Sequence, residues 1–223
     1  MVQQQLDLFI DEKKLQETQE KIQIQREDVK KFLPKHDPNK TREVVKVIKT
    51  HVDKVNYKFE NWLDVCLAAV EGREDDYMHL IHDMPREKLN DYVTAYATLQ
   101  DFFMNGYYDN VLGTFCQENY RIGNGYFITP FHISLMMAEM IGIKPEEKLH
   151  EPCCGSGSML LAAKFVIHKN YGWIKSCFYI NKMSGTDVGL IQVKMCKLQL
   201  KLSNYLYMIS RIHDSIIECS KRC

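Results

Sequence analysis

The sequence predicts an α/β protein, a helical stretch followed by a partial parallel strand–helix unit of about three strands. Three observations predict it. Residues 41–120 set apolar side chains at helical spacing, with no period-two alternation competing. After Gly123 the pattern changes to strand, glycine-rich turn, helix and strand. The length, 223 residues, suits one medium domain or two small ones and is enough to bury a core. The expected boundaries are a mobile polar arm over 1–40, a helical module over 41–122 and the partial α/β domain over 123–223.

The arm is rich in Gln, Glu, Lys and Asp, with few apolar anchors, and Pro34 and Pro38 mark a break after it. In the helical module, Val44, Val45, Val47, Ile48, Val52 and Val55 recur at helical spacing. Asn61–Val70 is an amphipathic helix closed by Gly72. Pro85 sits at a helix start, Asn105-Gly106 stops that helix, and a further helix covers Asn110–Tyr120. Trp62, Tyr92 and Tyr96 read as packing here.

In the last third, Thr129 is placed to cap a helix over Phe131–Ile141, with Pro130 in its first turn. Gly142 and Pro145 end it, and Met136, Met137 and Met140 read as core filler. A strand over Lys148–Glu151 runs into the turn Glu151-Pro152-Cys153-Cys154-Gly155-Ser156-Gly157, then a helix from Ser158 to about His168. A second strand ends at Asp187, a helix covers Leu190–Leu202, and a third strand covers about Tyr207–Ile212.

Composition narrows the function classes. Lys+Arg and Asp+Glu are both 29, so the formal net charge is zero. That argues against tight solitary DNA binding, which normally needs a basic excess. Lys194, Lys197, Lys201, Arg211, Lys221 and Arg222 outweigh Asp214 and Glu218 near the C-terminus, a mild basic bias that reads as a solvated face, with a DNA-facing surface as the alternative. The eight cysteines are scattered without CxxC spacing, and the N-terminus carries neither a basic nor an apolar leader segment. A reducing cytoplasm with free thiols is expected, with no membrane span and no metal site; His79, His82 and Asp83 read as a solvated helix face. Cys153 and Cys154 have no base placed to make either a nucleophile.

The turn at Gly155–Gly157 follows a strand and opens a helix, the arrangement that lets backbone approach a ligand while the helix N-terminus favours an anion. An ordinary glycine turn is the plainer reading. Asp187, thirty residues beyond Gly157 at the end of the next strand, is placed to accept hydrogen bonds from ribose hydroxyls or to cap the following helix.

Four segments in order carry a family resemblance. Gly125-Tyr126-Phe127-Ile128-Thr129-Pro130 resembles the GQ(Y/F)FTP segment of N6-adenine-specific DNA methyltransferases, a family that includes type I modification subunits. Glu151–Gly157 resembles their (D/E)PxCGSG turn, Ser184–Val188 the strand ending in the ribose-binding acid, and Ile212–Ile216 the G(D/N)(S/T)L segment. Asp109-Asn110-Val111-Leu112-Gly113 resembles the family's upstream DxLG helix. The resemblance covers about residues 60–218 and departs from the pattern at Tyr126, Ile128, Glu151 and His213.

The resemblance implies a Rossmann-like, S-adenosylmethionine-dependent methyltransferase domain. It implies a cofactor pocket of Phe127, Thr129, Pro130, Glu151, Pro152, Gly155, Ser156, Gly157, Asp187 and Asp214. Family members also use an (N/D)PP(Y/F/W) segment to hold the flipped target base. The six prolines of this sequence include no adjacent pair, so no catalytic residue is expected within it. Without the family's later strands the first strand is expected at a sheet edge; either the chain is a truncated fragment, or a homo-oligomer or a second methyltransferase polypeptide completes the sheet.

At the other end, Gln5-Leu6-Asp7-Leu8-Phe9 resembles the QL(S/D)LF peptide with which bacterial proteins bind the DNA sliding clamp. Leu8 and Phe9 would fill an apolar pocket and Gln5 would supply a hydrogen bond; a short amphipathic helix is the alternative. Two functions follow. One is the S-adenosylmethionine-binding part of an adenine-specific DNA N6-methyltransferase, meeting DNA within a complex and needing a partner for catalysis. The other is a catalytically inactive, methylase-like adaptor tethered to the clamp.

Overall fold

The computed structural model describes residues 33–52, 59–119 and 127–204. The pentapeptide Gln5–Phe9, Asp214, and the strand expected over Tyr207–Ile212 lie outside the described residues. The described residues from Pro34 to Asn204 fall in one compact unit. Its elements are α1 (Pro38–Val52), α2 (Phe59–Glu71), α3 (Glu74–Ile81), α4 (Arg86–Met104), α5 (Val111–Asn119) and α6 (Phe131–Ile141). There follow β1 (Leu149–Glu151), α7 (Ser158–Tyr171), α8 (Trp173–Tyr179), a 3₁₀ turn (Ile180–Lys182), β2 (Met183–Gly185) and α9 (Leu190–Leu202).

Helix α1 starts at Pro38, inside the segment expected to be arm. Asp37 Oδ1 accepts from the backbone N–H of Asn39 at 2.9 Å, and proline in the first turn forfeits no hydrogen bond. Lys35 bridges to Tyr107, fixing the entry to α1 beside the end of α4. The buried face of α1 is Thr41, Val44, Val45, Ile48 and Val52. Helix α2 is buried on nearly every side: Trp62 and Leu63 are fully inside, and the Trp62 indole donates to the carbonyl of Tyr92 at 3.2 Å.

Strands β1 and β2 pair in parallel, Leu149 opposite Met183, His150 opposite Ser184 and Glu151 opposite Gly185. They form the sheet found among the described residues. Leu149 and Met183 face the core, whereas His150 and Ser184 face outward, with Nδ1 and Oγ 2.9 Å apart. Strand β2 ends two residues before Asp187, where the strand was expected to finish. The connection between the strands also contains helix α8, which the sequence pattern did not disclose.

Helices α7 and α9 join the helical stretch in one large core, with a second, small cluster of Cys154, Leu160 and Cys196 beside the strands. The large core runs from Val44 and Trp62 to Leu161, Val166 and Leu198. Of the lysines expected on a solvated face, Lys197 is exposed, whereas Lys194 and Lys201 are half-buried, and all three are ion-paired. Lys194 pairs with Asp64 at 2.7 Å, and Lys197 and Lys201 pair with Glu71 at 2.5 and 3.4 Å, clasping α9 to α2. Met136, Met137 and Met140 are not core filler: α6 buries Phe131, Ser134 and Ala138, which leaves those methionines exposed.

Inside α7, Lys164 is fully buried. Its ammonium donates to the carbonyl of Ser203 at 2.7 Å and to Ser176 Oγ at 3.3 Å, and lies 5.6 Å from the centre of the Tyr108 ring. Burial lowers its pKa from 10.5 to about 8. Among the described residues, no helix is long and apolar enough to cross a membrane.

Candidate functional site

Three of the predicted segments meet at the start of α7. The turn after β1 needs glycine twice: Gly155 has φ +51° and Gly157 has φ +100°. At Gly157 a Cβ would also sit 2.9 Å from Cys196 Sγ and 3.2 Å from its Cα, so the turn lies directly on α9. No side chain caps α7, whose N-terminus therefore points bare backbone N–H groups at the turn. The Cys154 side chain lies under the turn with Leu160 and Cys196, and burial raises its thiol pKa.

Asp187 holds the turn from the β2 side. One carboxylate oxygen accepts from the backbone N–H of Gly155 at 2.8 Å and the other from that of Gly189 at 2.9 Å. Asp187 is therefore not the cap of α9, a position that Gly189 occupies without a side-chain bond. Thr186 completes the junction. Its N–H donates to the carbonyl of Glu151 at 3.0 Å and its hydroxyl to that of Pro152 at 3.1 Å. Gly185 permits the approach, because a Cβ there would lie 2.8 Å from Cys154 Cβ.

The Thr129-Pro130 segment reaches the turn through Ser158, the first residue of α7. Ser158 Oγ donates to the carbonyl of Thr129 at 3.0 Å and lies 2.9 Å from Ser134 Oγ on α6. The expected side-chain cap by Thr129 is not formed. Pro130 is the capping residue, and no side chain caps α6, because Thr129 stands one residue too early. What Thr129 contributes here is its carbonyl.

The individual positions divide by exposure. Phe127, 81 % exposed, and Pro130 and Pro152 face solvent. Thr129, Glu151, Gly155 and Asp187 are half-buried, so their polar atoms border the turn and remain reachable. Ser156 and Gly157 are buried. The Ser156 hydroxyl accepts from Asn110 Nδ2 at 2.7 Å rather than facing outward. A separate cavity of about 430 Å³ lies beside β2, lined by Leu160, Met183, Val193, Leu200 and Lys201, and touches the turn at Cys154.

The N-6 DNA Methylase family profile matches residues 100–218, just over half of the chain. The chain belongs to the N-6 DNA methylase family. The matched span contains the Asp109–Gly113 segment, α6, the glycine turn and Asp187. Over 153 residues the chain is 23% identical to a type I restriction enzyme MjaVII methylase subunit of Methanocaldococcus jannaschii, covering 66% of this chain and 25% of that protein. Over 76 residues the chain is 33% identical to the type II restriction enzyme and methyltransferase RM.BcgI of Heyndrickxia coagulans, covering 31% of this chain and 12% of that protein. The matches thus span about a quarter and about an eighth of those relatives' lengths. No solved structure matches the chain.

Proposed function

We propose that this chain is the S-adenosylmethionine-binding part of an adenine-specific DNA N6-methyltransferase. The observation that carries the reading is the convergence of Thr129, Gly155 and Asp187 on the N-terminus of α7, through Ser158 Oγ and Gly155 N–H. The donor set suits the cofactor. Uncapped backbone N–H groups at a helix start favour its carboxylate, and the half-buried Asp187 and Glu151 carboxylates have lone pairs for hydroxyl donors. The cofactor would supply an electrophilic methyl group.

In this reading Gly155 and Gly157 admit the ligand close to backbone. Asp187 orients the sugar end, Glu151 and Pro152 form the near rim, and Phe127 with Thr129 and Pro130 lies over the amino-acid end. These 223 residues contain no adjacent prolines, so the segment that holds the target base comes from elsewhere in the assembly. DNA is met within that assembly, and further strands, from a longer form of this chain, a second polypeptide or a second copy, complete the sheet beyond β1.

Two assays test this. Equilibrium dialysis with labelled S-adenosylmethionine should give saturable binding to the chain, and no retention would end the proposal. Labelled methyl transfer to DNA should require an added polypeptide that carries an (N/D)PP(Y/F/W) segment. Transfer by these residues alone would contradict that division of labour.

A further inference from the structure

A buried amide network ties the helical stretch to the glycine turn, and its centre is Gln199 on α9, which is fully buried. Its Nε2 donates to the carbonyl of Ser156 at 2.8 Å and to Asn110 Oδ1 at 3.1 Å, and its Oε1 accepts from the N–H of Leu112 at 3.0 Å. Asn110 returns the connection. Its Nδ2 donates to Ser156 Oγ at 2.7 Å, and its Oδ1 also accepts from Gly113 N–H at 3.1 Å. Gly113 is required by the same packing, since a Cβ there would meet Ser156 Oγ at 2.5 Å. Asp109 anchors the segment behind, accepting from Thr41 Oγ1 at 2.6 Å and from the N–H of Asn110 at 2.7 Å.

Ser156 is therefore held through both its hydroxyl and its carbonyl, by residues forty-six and forty-three positions away. Two positive-φ glycines leave the turn one internal backbone bond, from Gly157 N–H to the Cys154 carbonyl at 2.8 Å, so outside contacts fix the rest. Asp187 fixes Gly155 and α9 backs Gly157, and the two bonds to Ser156 hold the residue between them.

We infer that Gln199 and Asn110 are positioning residues for the cofactor, which set the glycine turn from behind without touching the ligand. The inference rests on the cofactor reading above. It assigns the Asp109–Gly113 segment the task of seating this turn. The turn and the uncapped α7 face the anionic end of the ligand, and in S-adenosylmethionine that is the amino-acid carboxylate. Loosening Ser156 should therefore weaken binding of that end and spare the adenosine end.

The test compares wild type with Gln199→Met, which keeps the volume and deletes the hydrogen bonds. It measures affinity for S-adenosylmethionine and for 5′-methylthioadenosine, which lacks the amino-acid end. Circular dichroism melting monitors the fold. We expect Gln199→Met to bind S-adenosylmethionine about tenfold more weakly or worse and 5′-methylthioadenosine within about twofold of wild type. Equal weakening for both ligands, or unchanged affinity for both, would overturn the inference. If Gln199→Met fails to fold, Ser156→Ala, which removes only the bond to Asn110, is read by the same criterion. A folded wild type that binds neither ligand would remove the cofactor reading and this inference together.

Discussion

The Asp187 carboxylate accepts the backbone N–H of Gly155 at 2.8 Å, joining the end of the β2 segment to the turn that follows β1. The residue expected to meet a ribose also braces the glycine turn. Replacing it with alanine leaves the N–H groups of Gly155 and Gly189 without their acceptor. Asp187→Ala should cost about 1–2 kcal/mol of stability, measured by urea unfolding, because the site is only half-buried and water can replace part of the loss. A variant as stable as wild type would show that the brace contributes nothing.

The two turn glycines should respond differently to alanine. Both have positive φ, but a Cβ at Gly155 meets nothing within 4 Å, whereas one at Gly157 collides with Cys196. Gly155→Ala should cost about 1 kcal/mol for the backbone alone, and Gly157→Ala about 2–4 kcal/mol. Adding Cys196→Ala to Gly157→Ala should recover the part due to the thiol. Equal losses for the two single variants would contradict the packing of this turn on α9.

Much of this was legible in the sequence, for identifiable reasons. Helices α6 and α9 fall where their glycine and proline punctuation places them, because chain breakers act locally. The pairing of β1 with β2 followed from the glycine turn between a strand and a helix. The Met136, Met137 and Met140 assignment failed because periodicity marks an apolar stripe but not what covers it. Lys194, Lys197 and Lys201 read as solvated because Asp64 and Glu71 lie over a hundred residues away in sequence. Gln199 carried no sequence signal at all, since a lone glutamine in a helix is indistinguishable from a surface residue until its neighbours are known. Asn110 was visible only as part of the Asp109–Gly113 motif.

The buried ammonium predicts a pH response. Lys164 falls from 10.5 to about 8 because burial disfavours its charged form. Between about pH 8 and 10.5 the unfolded chain binds more protons at this lysine than the folded chain does, so its contribution to stability rises with pH. Below about pH 8 burying the charge is a constant cost. Other groups titrate in this range, so the quantity to measure is the stability difference between wild type and Lys164→Met. That difference should shift in favour of wild type from pH 8 to pH 10, and a flat difference would contradict the burial.

The α9 clasp gives a dependence of the same sign in the acid range. Burial alone would raise the Glu71 carboxyl, but hydrogen bonds from Lys197 and Arg73, with Lys201 nearby, outweigh it and hold the group below its ordinary 4.5. A depressed carboxylate stabilises above its unfolded pKa, and the contribution is lost as pH falls through the folded value. Glu71→Gln should therefore cost about 1 kcal/mol near neutral pH, since the lysine partners are partly exposed. The two proteins should converge in stability well below pH 4.5, as followed by thermal unfolding. A deficit that persisted undiminished in acid would count against the clasp.

The central claim is that the glycine turn and Asp187 form a site for S-adenosylmethionine. Isothermal titration calorimetry of S-adenosylmethionine into wild type and Asp187→Ala tests it most directly. The account predicts saturable heat with wild type and affinity weaker by about tenfold or more in the variant, from loss of a charged acceptor. A folded wild type that gives no heat of binding, or a variant that binds as tightly as wild type, would contradict it.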